Sequence, residues 1–386
     1  MDEIKEKPHI LALHAVADLY GSGKILLYSI DALSEEFQFT VILPEEGPLV
    51  TELDKRGVEV LVMPLGILRR KYFNLKGIAS RISIWYRSLK QLKRVVRDRN
   101  PRIIYSNTTA VLIGAFLAKS TGITHVWHIH EVITKPRVLF RVIATLVNRC
   151  SDRVIVVSNS VYEYWKPFVS PTKLDRIYNG ISRQETTDNG SIKKDLGLHS
   201  DDLLLGTIGR IHPIKGIDYF IEIAEHLKRD FNQLKFIIVG DAFPGYEYLY
   251  YEMSNQIKAK KLDDSIHYLG YRTDIPDILE EMDMFILPST GHDSFPTVIL
   301  EAMSMAVPVV ATDLGGAPEM IVDGETGLLI KTGNASKAAD RISSLIKDSE
   351  LRKRIGKSGQ IRQEKHFSRR SFDQNINDLF NKLARF

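Results

Sequence analysis

With 386 residues and 44% hydrophobic content, the chain is too long for one comfortable core, and the usual ~100 to 200 residues per domain predicts two domains. Its single cysteine, Cys150, excludes a disulfide framework and a cysteine-based metal cluster and fits a reducing compartment. A net charge of +4 is modest but unevenly placed, since Ile67 to Arg102 holds twelve Lys or Arg against the single acid Asp98.

The start, Met1-Asp-Glu-Ile-Lys-Glu-Lys-Pro8, lacks the basic-then-apolar order of a secretory signal. Apolar stretches such as Val111 to Ala118 fall well short of the ~20 residues that span a bilayer. A cytoplasmic protein is expected, with membrane contact at most peripheral. Short apolar runs then alternate with longer amphipathic stretches, the pattern of strands and crossover helices in a parallel sheet. Strands are predicted at His9–Leu13, Phe39–Leu43, Val58–Met63, Arg102–Tyr105, His125–His128 and Arg153–Val157.

The glycine turn Leu19-Tyr-Gly-Ser-Gly-Lys24 follows the first strand and precedes a helix. It is not a P-loop, because Asp18 and Ile25 stand where that motif needs Gly and Ser or Thr. The first strand is also not followed by Gly-x-Gly-x-x-Gly, which disfavours a Rossmann dehydrogenase. From Ile78, the residues Ile82, Trp85, Leu89, Leu92 and Val96 recur at three and four, predicting a helix with one buried stripe and a basic surround. That surround is either a solvated face or, with Tyr72, Phe73, Trp85 and Tyr86 nearby, a docking surface for an anionic bilayer. No nucleic-acid motif accompanies the charge, so nucleic acid is not an expected partner. Further on, Trp127-His-Ile-His-Glu131 closes a strand, with His130 and His128 as alternative site histidines. The polar segment Ser182 to Ser200 is read as the domain linker.

A second series of strands follows, at Leu203–Ile208, Lys235–Val239, Ser265–Tyr268, Met284–Leu287 and Val307–Ala311. The loop Gly206-Thr-Ile-Gly-Arg-Ile-His-Pro-Ile-Lys-Gly216 places Arg210 and Lys215 five apart ahead of a helix, a spacing that suits a grip on a diphosphate. The stretch from His292 to Glu319 then gives a polar loop, a helix carrying Glu301, a strand and a glycine loop. Ligands in open α/β sheets sit beyond the carboxyl ends of strands, where such loops meet them. The last segment, Ser368 to Phe386, spaces Phe372, Ile376, Leu379, Phe380 and Leu383 as a helix that could close either lobe.

Taken together, Asp293 to Gly316, Gly209-Arg210 and Lys215-Gly216 resemble glycosyltransferase family 4, with weaker matches at Tyr20-Gly-Ser-Gly23, Trp127-His-Ile-His-Glu131 and Tyr178-Asn-Gly180. The resemblance implies an α/β GT-B fold: two Rossmann-like domains, 1–185 for the acceptor and 200–367 for the nucleotide sugar, with parallel sheets facing a central cleft and a helix at 368–386 crossing back. It implies a retaining hexosyltransferase that moves sugar from a nucleoside diphosphate donor to a glycan or polyprenyl-diphosphate-linked acceptor in surface-polysaccharide assembly, peripheral at the inner face of the membrane. Arg210 and Lys215 would neutralise the departing diphosphate, with His130 and Asp293 beside the reacting sugar. Glu301 would accept from the ribose hydroxyls. Ser294, Phe295, Thr297 and Val298 would present a helix N-terminus, Tyr271 or Arg272 would flank the base, and Gly23 and Gly209 would line the donor site. The first acid of the family's motif is usually Glu, so Asp293 is a departure. No two aspartates stand two residues apart, so no metal and no cofactor beyond the donor are expected. Within enzymes the nearest rival is another GT-B member, such as a sugar epimerase acting on a nucleotide sugar, or an inverting transferase. From another class, a catalytically impaired nucleotide-sugar-binding or membrane-tethered interaction protein of the same fold is the alternative.

Overall fold

The computed structural model describes residues 7–67, 75–134, 136–187, 191–242 and 245–384. The chain divides into two compact units, Met1–Asn179 with Arg370–Phe386, and Gly180–Arg369. In the first, β1 (His9–His14), α1 (Gly21–Leu33), β2 (Gln38–Leu43), α2 (Pro48–Asp54) and β3 (Glu59–Val62) precede the long α3 (Leu75–Arg99). They are followed by β4 (Ile103–Asn107), α4 (Ile113–Thr121), β5 (Thr124–Ile129), α5 (Arg137–Cys150), β6 (Arg153–Val156), α6 (Asn159–Trp165) and β7 (Leu174–Arg176). All pairings are parallel, in the order β3-β2-β1-β4-β5-β6-β7.

Why the strand sequences are apolar throughout is visible in β1. Ile10 and Ala12 enter one core with residues of α1 and α2, while Leu11 and Leu13 enter another with α3 and α4. A sheet covered on both faces cannot alternate apolar with polar. The basic segment is indeed helical, and Leu92 is fully buried while Trp85, Leu89 and Val96 are partly so. Arg69, Arg70, Lys71, Tyr72 and Phe73 lie outside the described residues, as do the side chains of Lys76, Arg81 and Ile82.

The second unit runs α7 (Ile192–Asp195), β8 (Leu203–Ile208), α8 (Ile217–Asp230), β9 (Leu234–Val239), α9 (Tyr248–Ala259), β10 (Ile266–Gly270), α10 (Ile275–Glu281) and β11 (Met284–Leu287). It continues through α11 (Thr297–Ser304), β12 (Val309–Thr312), α12 (Ala317–Met320), β13 (Leu328–Ile330), α13 (Ala335–Lys347) and α14 (Ser349–His366). The parallel sheet is ordered β10-β9-β8-β11-β12-β13. The final helix, α15 (Arg369–Ala384), supplies Phe372, Ile376, Leu379 and Phe380 to the core of the first unit. There the Phe380 ring meets Phe37 edge-on at 6.3 Å and Tyr105 at 5.5 Å between centroids.

The division between units falls at Asn179/Gly180, ahead of the polar segment in which the sequence places a linker. That segment is tied to the second unit instead. Thr187 donates through N and Oγ1 to Asp277 at 2.6 and 2.7 Å, and Ser191 Oγ donates to Glu281 at 2.8 Å. Two acids on α10 thus recruit polar residues that composition alone reads as loose chain. Two strands escape the sequence reading, β7 and β13, each three residues long. Among the described residues no helix is long and apolar enough to cross a membrane.

Candidate active site

Both sheets reverse strand order next to their first strand, between β1 and β4 in the first unit and between β8 and β11 in the second. At such a point the loops leaving adjacent strands diverge to opposite faces and open a crevice beyond the strand ends. Of the predicted site residues, Gly209, Arg210 and Lys215 follow β8, Asp293 to Glu301 follow β11, and Gly23 follows β1, whereas His130 follows β5 and Tyr271 and Arg272 follow the edge strand β10.

In the second unit the loop after β8 carries Gly209, Arg210 and Lys215. It turns at Gly216, whose φ of +68° suits glycine and where a Cβ would lie 2.0 Å from Pro288 O. The loop is clamped to the one after β11, because Thr290 N and Gly291 N donate to Ile214 O at 2.9 and 3.2 Å. Lys215 Nζ then meets Asp293 Oδ2 at 2.5 Å, with both side chains partly exposed. This ion pair joins two of the predicted catalytic residues across 78 positions of sequence. Arg210, five residues before Lys215, is half-buried on the same loop.

Past Asp293 the chain enters α11, with Ser294 and Phe295 buried and Thr297 and Val298 in its first turn. Amides there precede the helix's own hydrogen-bond ladder and carry the positive end of its dipole. The loop after β12 locks this turn in place: Gly316 N donates to Asp293 O at 2.8 Å. A Cβ on Gly315 (φ +61°) would lie 2.0 Å from that same Asp293 carbonyl oxygen, and one on Gly316 would lie 2.3 Å from Ser294 O. Glu301 sits one turn into α11 and is 5% exposed. At the end of β10, Tyr271 is half exposed, whereas Arg272 is held by Asp274, with Nε donating to Oδ1 at 2.8 Å and Nη2 pairing with Oδ2. That partner holds the Asp274 carboxyl below its ordinary pKa.

In the first unit the strand ends carry a buried polar cluster that sequence reading found only in part. His130 Nε2 lies 2.6 Å from Asn107 Oδ1, which can only accept, so this nitrogen holds the proton. Asn107 Nδ2 donates to Ser22 O at 2.9 Å and lies 3.1 Å from His14 Nδ1. The His128 ring packs against His130 with centroids 4.2 Å apart, and its Nδ1 is 2.6 Å from the Tyr105 hydroxyl. Of the two candidate histidines, His128 is fully buried and His130 keeps some exposure. Burial, reinforced by His128 and His14, pushes the His130 pKa well below its ordinary value. Burial likewise lowers His14 to about 4 and His128 to about 3, so the cluster is neutral at pH 7.

Glu131, next in sequence, accepts from Thr109 N at 2.6 Å, from the Thr109 hydroxyl, and from His130 N at 3.0 Å. Burial raises its pKa against these bonds. Its role is to fix the loop. Gly23 lies in the first turn of α1, where a Cβ would come within 2.2 Å of Asp18 O, so close packing accounts for the glycine. Asn107, His14 and Thr109 were not singled out from sequence. A polar run, Ser106-Asn-Thr-Thr109, directly after the apolar Ile103-Ile-Tyr105, is the signal that could have found two of them.

Comparisons with known proteins bear on the family and the fold. Residues 21–185 match the family model described as Glycosyltransferase Family 4, and residues 188–362 match Glycosyl transferases group 1. The chain is 27% identical over 355 residues, 86% of each protein, to the Escherichia coli UDP-Gal:alpha-D-GlcNAc-diphosphoundecaprenol alpha-1,3-galactosyltransferase. It is 34% identical over 167 residues, 43% of this chain and 41% of the other, to the Campylobacter jejuni N,N'-diacetylbacillosaminyl-diphospho-undecaprenol alpha-1,3-N-acetylgalactosaminyltransferase. Among solved structures, Anabaena HepE in complex with UDP-glucose superposes with a TM-score of 0.84 at 24% identity, over 97% of this chain and 99% of that one. The fold is GT-B. With family models matching residues 21–185 and 188–362, the chain belongs to glycosyltransferase family 4 and is a glycosyltransferase.

Proposed function

We propose that this glycosyltransferase moves a hexose from a nucleoside diphosphate sugar to a hydroxyl of a polyprenyl-diphosphate-linked glycan, with retention at the anomeric carbon and without a metal, in surface-polysaccharide assembly at the inner face of the membrane. What supports the donor half is that the Arg210–Lys215 loop leaves β8 while the α11 N-terminus and buried Glu301 follow β11, the two strands at the reversal point of the second sheet, with Lys215 paired to Asp293 between the two loops. Two cations and a helix terminus suit a diphosphate, and an adjacent carboxylate suits the paired hydroxyls of a ribose. The acceptor half rests on the relatives, two of which are named for diphosphoundecaprenol-linked acceptors.

In the proposed reaction the bond from the anomeric carbon to the diphosphate oxygen breaks and its electron pair stays with the diphosphate. The acceptor oxygen bonds the same carbon from the same face, and its proton passes to the leaving phosphate. Lys215 and Arg210 stabilise the charge that accumulates there, and removing one such group costs on the order of 10²–10³ in kcat. Asp293, paired with Lys215 in the free protein, is placed to turn to the donor sugar once the diphosphate takes over that ammonium. His130, neutral and oriented by Asn107, offers Nδ1 to a sugar hydroxyl. The exposed basic face of α3, including Arg87, Lys90 and Lys93, fits an anionic lipid surface.

Thermal-shift measurements against UDP, GDP, ADP and their sugars in EDTA test the donor site, because a ligand that binds only the folded state raises Tm. One diphosphate is expected to stabilise the parent and to fail with Arg210→Ala and Glu301→Ala. An EDTA-sensitive shift would overturn the metal-free reading, and an inverted anomer in the NMR spectrum of the product would overturn retention.

A further inference from the structure

Helix α5 buries Phe140, Ile143, Ala144 and Val147, which accounts for its packing on the sheet. Its other side is not the polar face that a surface helix ordinarily shows. Val138 is 76% exposed and Val142, one turn on, is 53% exposed. Arg137, Arg141 and Arg149 are exposed beside them, and the helix contains no acid. Single exposed apolar residues are ordinary. A pair stacked one turn apart, set among three guanidinium groups with no compensating carboxylate, is the composition of a helix face that meets an anionic lipid surface.

The setting fits. Helix α4 packs against both α3 and α5, so the three helices belong to one layer of the first unit, and the outward face of α3 is basic as well, with Tyr86 70% exposed. α5 begins seven residues after His130 and so follows directly from the first unit's strand-end cluster. We infer that α5 is a second, apolar membrane contact: Val138 and Val142 enter the boundary between headgroups and acyl chains of an anionic bilayer while Arg137 and Arg141 pair with lipid phosphates. This rests on the proposed lipid-linked acceptor and adds an anchoring element that the charge of α3 alone does not supply. Basic residues by themselves give binding that salt removes, whereas buried apolar side chains give binding that salt does not.

The test is flotation of the full-length protein with phosphatidylcholine vesicles, with and without phosphatidylglycerol, at low and high salt. Val138→Asp with Val142→Asp is expected to lower the bound fraction roughly tenfold and to abolish the salt-resistant part, with the nucleoside-diphosphate thermal shift unchanged. Val138→Trp with Val142→Trp is expected to raise salt-resistant binding, and it reads the same contact should the aspartates impair folding. If Lys90→Glu with Lys93→Glu abolishes binding while both valine pairs bind like the parent, α5 is not a contact and the α3 reading stands alone. If the parent does not bind anionic vesicles at low salt, both fall. A parent dimer on size exclusion that the aspartate pair converts to monomer would assign the valines to a second copy of the chain and overturn the inference.

Discussion

Lys215 already has an anionic partner before any donor arrives, and the energetics of that pair decide whether it obstructs or assists. Its two side chains are 26% and 18% exposed, so solvent screens the attraction only in part. In the proposed reaction a diphosphate, with two negative groups, offsets the loss of Asp293 as the partner of that ammonium. The histidines of the first unit are set differently. His14 and His128 are fully buried with pKa values of about 4 and about 3, and each leaves Nε2 without a hydrogen-bond partner among the described residues. Since their folded pKa values lie below the unfolded value near 6.5, the unfolded chain binds more protons in acid. Their contribution is complete above pH 6.5 and is lost as the pH falls towards 4. Each histidine then removes up to about 1.4 kcal/mol per pH unit. Tm measured from pH 7.5 to 5 is expected to fall, and His128→Phe is expected to flatten part of that slope; an unchanged slope would show that the histidine is charged or hydrated in the fold. Sequence showed His128 and His130 but not their companions, because Asn107 and His14 meet across 93 positions. Spacing along the chain carries no record of such contacts.

At the level of elements, the central strands were legible because burial on both faces leaves an apolar run. β7 and β13, at the sheet edges, are too short to leave one. The loops of the candidate donor site stand out in the sequence as glycine- and charge-bearing turns. What could not be read was their dependence on one another. Gly315 illustrates it: with φ at +61° and a Cβ position 2.0 Å from Asp293 O, it is the contact surface for a residue 22 positions earlier. Gly315→Ala is expected to displace Asp293 and the first turn of α11, costing about 1–3 kcal/mol for the strained conformation. The nucleoside-diphosphate thermal shift should collapse in this variant while circular dichroism keeps its parental shape. A full thermal shift in Gly315→Ala would mean that the loop tolerates the side chain and does not set the donor site.

On the scale of the whole molecule, the two-unit organisation was anticipated from length and from the restart of the strand series, and the division falls at Asn179/Gly180, just ahead of the polar segment read as the linker. Within that segment, Thr187 bonds Asp277 and Ser191 bonds Glu281. The other crossing has a temporal consequence. Phe372, Ile376, Leu379 and Phe380 of α15 belong to the core of the first unit, yet the whole second unit separates them from it in sequence. On the ribosome the first sheet is complete long before the helix that covers the Phe37–Tyr105 edge of its core has been made. At ~5–20 residues per second, the intervening 180–369 segment takes on the order of 10–40 s to synthesise. A chain stopped after residue 369 is expected to yield a first unit that binds hydrophobic dyes and is cut readily by protease, and to recover when α15 is supplied as a peptide. Until α15 has been made, the apolar surface that Phe372, Ile376, Leu379 and Phe380 cover is left open to water on the nascent chain.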